Sequence, residues 1–275
     1  MSDYQAKCLA VTLLSDCNVR SAVTQNIMPA SVDETETVRV AIYESFATRG
    51  VAPTVPELSA STGLSASTVR AALAALHASR DIVLSADSLA ALSSNAETYD
   101  NTATAIVMAH PFATVPLGFS VMGKSVLWWG GCAWDSFALP HLLPEQAPVL
   151  VATRCPGCAK PLAFDVGPEK PPSLESVPDT TIAHFLTPMA HVWDDVVHTC
   201  GHQSIFCSEE CLDGWLASNG RNKGYVMSID TLWHFAKEWY AGRLQRGYKR
   251  REPSQAKAYF RSVGLRGSFW GLEDE

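Results

Sequence analysis

The sequence predicts an α+β protein, in which a winged-helix-like helical domain precedes a core built on a mixed or antiparallel sheet with flanking helices. Three observations support this class. Helical periodicity with cap signals occupies the chain before residue 80, short β-type segments follow residue 104, and two helical segments lie beyond residue 207. The chain has 275 residues, of which 47% are hydrophobic and 18% charged, so it can bury a substantial core.

The winged-helix-like domain is predicted over residues 31–92. Ser31 and Glu34 have the spacing of a capping box at the start of a helix. A glycine turn at Gly63 separates two further helices, and the segment 81–84 has the character of a strand. Three helices with a tight turn, followed by a strand, are typical of a winged helix-turn-helix.

Such a module either binds DNA or serves as a packing domain with the same topology. The predicted recognition helix, 66–79, offers Arg70 as its only arginine or lysine, and the whole chain carries a net charge of -7. Phosphate contacts require several lysines or arginines. We therefore expect no nucleic-acid partner.

The core is predicted over residues 104–245, where short apolar segments alternate with turn signals. Strand candidates are 105–108, 115–121, 124–128, 149–153 and 162–164, with helices at 208–218 and 231–245. The segment 85–103 is rich in Ala, Ser and Asn and is predicted to be a linker or surface turn. Residues 1–30 are assigned to an N-terminal extension and 246–275 to a solvated C-terminal tail.

The chain lacks an apolar run long enough to span a membrane, so we expect no membrane partner. Its N-terminus has no basic region followed by an apolar stretch, which predicts a cytoplasmic location. Six of the eight cysteines lie between residues 132 and 211. In a reducing compartment such clustering indicates metal or thiol chemistry rather than a disulfide framework.

The first reactive candidate is the segment Gly130-Gly131-Cys132-Ala133-Trp134-Asp135. Cys132 is predicted to begin a helix, where the partial positive charge of the helix N-terminus would lower its pKa. Asp135 is three residues further on, so both side chains would share one helix face. The alternative is a buried cysteine followed by a capping aspartate.

The second candidate is His198-Thr199-Cys200-Gly201-His202-Gln203. A cysteine two residues from a histidine, with glycine between them, suits a turn that presents both side chains. A strand cysteine flanked by surface histidines fits the same sequence.

The third candidate combines Cys155-Pro156-Gly157-Cys158 with Cys207-Ser208-Glu209-Glu210-Cys211. The first pair predicts a tight knuckle and the second opens a helix, and four thiolates suit tetrahedral zinc. A redox Cys-x-x-Cys is the rival interpretation, but no thioredoxin-like strand–helix context surrounds it. We expect a structural zinc ion bound by Cys155, Cys158, Cys207 and Cys211.

Together these motifs resemble those of the alkylmercury lyase (organomercurial lyase) family. Cys132-Ala133-Trp134-Asp135 is similar to the family's Cys-Ala-x-Asp motif, and Cys200-Gly201-His202-Gln203-Ser204-Ile205-Phe206 is similar to its Cys-x-His-x-x-aromatic-aromatic run. Ile205 replaces the first aromatic residue, Gly201 replaces an adjacent cysteine, and Cys158, Cys207 and Cys211 are additional. The segment His110-Pro111-Phe112-Ala113 resembles the family's Pro-Phe-Ser segment.

The resemblance implies a carbon–mercury lyase whose catalytic residues are Cys132, Asp135 and Cys200. Two soft thiolates, Cys132 and Cys200, would bind the mercury of an organomercurial substrate. Asp135 would then protonate the carbon as a general acid. No cofactor is required for this reaction, and a low-molecular-weight thiol or a mercuric reductase would accept the mercuric ion.

Two alternatives belong to other functional classes. One is a metal-responsive regulator, which requires a basic recognition helix. The other is a diverged, zinc-stabilised relative that binds or carries metal without catalysis, and in which Asp135 would be dispensable.

Overall fold

The computed structural model describes residues 29–94 and 105–273 and begins with three helices. Their bounds are Val32–Arg49 (α1), Val55–Thr62 (α2) and Ala66–Ala78 (α3). α1 and α2 each begin with a complete capping box, Ser31 with Glu34 and Thr54 with Glu57. The helix start predicted from the spacing of Ser31 and Glu34 is therefore confirmed, because satisfied N-terminal amides define it.

Two short elements connect these helices to the main sheet. β1 (Val83–Leu84) pairs antiparallel with β2 (Ile106–Ala109), so the N-terminal part supplies the edge strand of that sheet. α4 spans Ala86–Ser94, where the sequence predicted a linker or surface turn. That prediction was wrong for these nine residues, since alanine and leucine outweigh serine as helix formers there. The rest of the predicted linker, 95–103, lies outside the described residues.

The main sheet has seven strands in the order β1-β2-β3-β5-β4-β6-β7 among the described residues, and every pairing is antiparallel. The remaining bounds are Phe112–Ala113 (β3), Phe119–Met122 (β4), Leu127–Gly130 (β5), Val149–Arg154 (β6) and Pro161–Val166 (β7). All five strand candidates correspond to strands of this sheet, namely β2, β4, β5, β6 and β7, with β4 starting four residues and β5 three residues later than predicted. N-terminal helices followed by antiparallel sheets and helices confirm the α+β class.

A second, three-stranded antiparallel sheet has the order β10-β8-β9. Its strands are Ile182–Phe185 (β8), Gln203–Phe206 (β9) and Tyr225–Ser228 (β10). The short helix α6 (Val196–Gly201) leads into β9, and α7 (Glu209–Ser218) follows it.

Two buried helices hold the sheets together. α5 (Ala133–Leu142) packs against α8 (Ile229–Lys237), and the Trp134 ring stacks on Phe235 with centroids 3.9 Å apart. The sequence predicted one helix from 231 to 245, but α8 ends at Lys237. The chain then turns, and Gly242 adopts a positive φ of 76° that helical backbone does not tolerate.

The C-terminal segment is part of the core. α9 spans Pro253–Ser262, and Phe260, Leu265, Trp270 and Leu272 are all buried. The prediction of a solvated tail over 246–275 was therefore wrong as far as residue 273. The basic residues at the start of this segment suggested a solvated tail. The apolar residues that follow are each large enough to stabilise the fold by about 1.5–3 kcal/mol on burial. Within the described residues, no helix has both the length and the apolar character needed to cross a membrane.

Candidate active site

The turn from β5 into α5 brings Cys132 and Asp135 together. Cys132 is the N-cap residue of α5, and its Sγ accepts a hydrogen bond from the Asp135 backbone amide at 3.4 Å. A Cβ on Gly130 would lie 1.9 Å from Ser136 Oγ, and one on Gly131 would lie 2.2 Å from Asp135 Oδ2. The glycine pair is therefore needed because the first helical turn lies directly against the strand end.

Cys200 reaches the same point from a distant part of the chain. It lies near the end of α6, and its Sγ is 3.9 Å from Asp135 Oδ2. Cys132, Asp135 and Cys200 are all buried, with exposed fractions of 1%, 1% and 5%. The three residues that the sequence singled out for chemistry thus surround one small volume.

Sequence reasoning assigned no role to His110, which belongs to this cluster. Its Nε2 lies 3.6 Å from Cys200 Sγ, and the ligand atoms of His110, Asp135 and Cys200 are all within 4.8 Å of one another. His110 Nδ1 is buried and has no hydrogen-bond partner among the residues that the structure describes. A histidine one residue before the Pro-Phe segment was the available signal.

Tyr240 is the second residue that sequence reasoning missed. Its hydroxyl donates a hydrogen bond of 2.5 Å to Asp135 Oδ1, so both carboxylate oxygens of Asp135 face partners in the site. Burial, followed by the neighbouring Asp135 and Cys132, raises the pKa of Tyr240 well above its ordinary value. Tyr240 therefore remains a neutral donor that orients the carboxyl group.

The two cysteines differ in their electrostatics. Burial, a hydrogen bond donated to Cys200 and the charge of Asp135 raise the pKa of Cys132 well above its ordinary value. The predicted lowering by the helix N-terminus was wrong, because desolvation and two negative neighbours outweigh one backbone amide.

The pKa of Cys200 is shifted in the opposite direction, below its ordinary value. The hydrogen bond from Cys132 lowers its pKa, burial opposes this, and the contact with His110 lowers it further. Burial lowers the pKa of His110, but the hydrogen bond to Cys200 and the charges of Asp135 and Cys200 leave it raised. These shifts favour the thiolate form at Cys200 over that at Cys132, and they favour the protonated form of His110.

The cluster opens into a cavity of about 740 Å³ that is lined by aromatic, aliphatic and basic residues. The aromatic residues at this wall include Trp134, Trp193, Trp239, Tyr240 and Tyr248. Cations of Arg80 and Arg250 lie over the Trp193 ring at 5.6 Å and 5.8 Å from its centroid. The cavity can hold an apolar organic group beside the two sulfurs.

The N-terminal helices stabilise the segment that carries Tyr240. Arg243 is buried, and its Nε donates to the Tyr43 hydroxyl at 2.8 Å while Nη2 donates to the Asp81 carbonyl at 3.0 Å. Arg39 of α1 in turn donates to the Arg243 carbonyl at 2.7 Å. These contacts fix the turn that follows α8, and hence the position of Tyr240.

His202, which the sequence paired with Cys200, points elsewhere. Its Nδ1 makes a hydrogen bond with the His198 carbonyl at 2.7 Å, and its ring lies against Trp215. The second group of cysteines is also separate. The sulfurs of Cys155, Cys158 and Cys207 lie within 4.8 Å of one another in a group that excludes Cys200.

Comparisons with known proteins agree with this geometry. A model of the alkylmercury lyase family, MerB, matches residues 112–241, a range that contains Cys132, Asp135, Cys200 and Tyr240. The crystal structure of the mercury-bound form of MerB2 is similar, with a TM-score of 0.54 and 21% sequence identity over 76% of this chain and 90% of that chain. At this identity the structural likeness supports the fold alone. A search of curated proteins gives no significant match. By the match over residues 112–241 and by its fold, the chain is similar to the alkylmercury lyase family.

Proposed function

We propose that this protein is an organomercurial lyase, which cleaves a carbon–mercury bond by protonolysis and yields a hydrocarbon and a mercuric ion. The observation that carries the proposal is the convergence of two cysteine sulfurs and one carboxyl group in a buried site beside an aromatic cavity. The match to the alkylmercury lyase family supplies the substrate class, which is organomercurial compounds. The residues at the site account for each step of the chemistry.

In the first step, the Cys200 thiolate attacks mercury and displaces the ligand on which the organomercurial arrived. Mercury is a soft metal, so a thiolate is its preferred ligand. His110, which we assign as the acceptor of the Cys200 proton, keeps that thiolate available in the resting site. Its Nε2 lies 3.6 Å from the sulfur, within reach of a hydrogen bond to sulfur.

In the second step, Cys132 binds the same mercury and gives its proton to the Asp135 carboxylate. Two sulfurs on mercury increase the electron density on the bonded carbon. Asp135 then returns the proton to that carbon, and the electron pair of the carbon–mercury bond forms the new carbon–hydrogen bond. The mercuric ion remains between the Cys132 and Cys200 thiolates, and Asp135 is a carboxylate again.

Release requires an external acceptor. Two molecules of a low-molecular-weight thiol exchange with the two cysteine thiolates, each giving a proton to a cysteine sulfur and taking a position on mercury. A mercuric reductase with exposed cysteines is the other acceptor class that this exchange suits. No cofactor takes part in any step.

The test is to incubate purified protein with methylmercury or phenylmercury and excess thiol, and to measure methane or benzene in the headspace. We expect one hydrocarbon molecule for each organomercurial consumed, with multiple turnovers. The aromatic residues at the cavity wall and the cavity volume of about 740 Å³ predict that phenylmercury is also accepted as a substrate. Binding of mercury without hydrocarbon would refute the proposal and favour the second alternative, a zinc-stabilised relative that binds or carries metal.

A metal-responsive regulator is less consistent with the contacts. β1, the strand in the position of a wing, pairs with β2 of the main sheet. α3 contains Arg70 as its only arginine or lysine. We therefore propose that the winged-helix-like part is scaffold, with the Arg243 contacts as its link to the active site.

A further inference from the structure

The hairpin between β6 and β7 forms a tight knuckle around two cysteines. The Cys155 amide donates to the Lys160 carbonyl at 2.9 Å, and the Ala159 amide donates to the Cys155 carbonyl at 2.8 Å. Ala159 adopts a positive φ of 59°, which is uncommon for a residue with a side chain. The turn brings Cys155 and Cys158 to one side, and Cys158 is exposed.

The second pair meets this knuckle from the other sheet. Cys207 follows β9, and its amide donates to Cys155 Sγ at 3.4 Å. Ser208 caps α7 and accepts a hydrogen bond from the Cys211 amide at 3.3 Å, which places Cys211 in the first helical turn. The sulfurs of Cys155, Cys158 and Cys207 lie within 4.8 Å of one another, and Cys211, outside that group, has its backbone packed against Gly157 of the knuckle.

The knuckle is seated on the start of α7 by close backbone packing. A Cβ on Gly157 would lie 2.3 Å from the Cys211 carbonyl oxygen. Only glycine allows this approach without a shift of the backbone. The packing is independent of the sulfurs and holds the two cysteine pairs face to face.

From this arrangement we propose that Cys155, Cys158, Cys207 and Cys211 bind one structural zinc ion, separate from the mercury site. A tetrahedral site with zinc–sulfur bonds of about 2.3 Å places its sulfurs about 3.8 Å apart. Cys158 Sγ and Cys207 Sγ are 3.7 Å apart, which is far longer than a disulfide bond of about 2.05 Å. An amide donating to Cys155 Sγ is also suited to a sulfur that carries thiolate charge.

The zinc ion would join elements that have few other links. It would tie the β6–β7 hairpin to the end of β9 and to α7, across the two sheets. β9 begins at Gln203, which lines the cavity three residues after Cys200. The zinc would thus steady the strand next to Cys200.

The experiment is metal analysis of the full-length protein, purified without added zinc and never exposed to mercury. We expect about one zinc per chain in the wild type, in Cys132→Ser and in Cys200→Ser, and less than a tenth of that in Cys158→Ser and Cys211→Ser. Cys132→Ser and Cys200→Ser are matched controls, because each also replaces one clustered cysteine by serine. Absence of zinc from the wild type, or its loss in Cys200→Ser, would overturn the proposal.

A second measurement covers the case in which a cysteine variant does not fold. Wild type and Cys132→Ser are produced in cobalt-supplemented medium, and their visible and near-ultraviolet spectra are recorded. Tetrahedral thiolate coordination predicts strong thiolate-to-cobalt absorption at equal intensity in both proteins. Weak octahedral-type bands, or a spectrum that changes in Cys132→Ser, would contradict a separate four-cysteine site. Neither readout depends on lyase activity, so the two proposals can fail independently.

Discussion

Replacing Asp135 by asparagine removes the group that carries the proton and keeps the shape of the side chain. The amide has the shape of the carboxyl group, so its oxygen can still accept the Tyr240 hydrogen bond now at 2.5 Å. Its NH₂ group can face Cys200 Sγ, 3.9 Å from the present Oδ2. We therefore expect Asp135→Asn to fold and to bind an organomercurial within about tenfold of wild type.

We expect the substitution to slow the chemical step, in which the carbon is protonated. A lost general acid typically reduces the rate by about a hundredfold to ten-thousandfold. At about 1.4 kcal/mol for each factor of ten, this is about 2.8–5.6 kcal/mol of transition-state stabilisation. The asparagine side chain cannot receive the Cys132 proton either, so the variant also lacks the carrier between sulfur and carbon.

The assay combines single-turnover hydrocarbon release with mass spectrometry of the intact protein. We expect the variant to accumulate a protein–organomercurial adduct while releasing little hydrocarbon. Asp165→Asn is the matched control, because Asp165 is an exposed aspartate on β7, away from the site. A release rate within about threefold of wild type in Asp135→Asn would remove Asp135 from the mechanism.

Three further predictions use the same protein. Cys132→Ser and Cys200→Ser should each fold, shown by an unchanged circular dichroism spectrum, and each should lose hydrocarbon release by at least about a hundredfold; near-normal release from either would exclude that sulfur. The hydrogen bond from Cys132 and the contact with His110 lower the pKa of Cys200, so its alkylation by iodoacetamide should begin at lower pH than that of an ordinary thiol. His110→Gln should move the pH dependence of this alkylation to higher pH. An unchanged pH dependence would show that His110 does not accept the Cys200 proton. Full-length protein should give no sequence-specific gel shift, since α3 has Arg70 as its only arginine or lysine; a shift that survives competitor DNA would revive the regulator.

Local signals in the sequence predicted the parts of the fold that depend on nearby residues. The capping box at Ser31 defines a helix start within four residues, so the start of α1 was predicted. The glycine pair before Cys132 likewise indicated a strand-to-helix turn. By contrast, β8 and β10 were not predicted, because each is a four-residue strand whose pairing with distant segments decides its structure.

The pKa of Cys132 depends on contacts with residues that are distant in the sequence. A helix N-terminus lowers the pKa of an exposed thiol, and the sequence placed Cys132 at such a position. Burial cannot be read from these residues alone, and neither can the position of Cys200 and Asp135 beside the sulfur. These two long-range effects raise the pKa of Cys132, whereas the pKa of Cys200 is lowered.

Strand register explains how His110 reaches a site built around Cys132. β3 and β5 pair antiparallel with Phe112 opposite Gly130, and the Gly131 amide donates to the Pro111 carbonyl at 3.4 Å. Continuing that register by two residues sets His110 opposite Cys132. The histidine before the Pro-Phe segment is thus carried to the start of α5 by the same pairing that ends β5 at the glycine turn. A sequence motif can specify that turn, whereas His110 becomes part of the site only through the order of strands in the sheet.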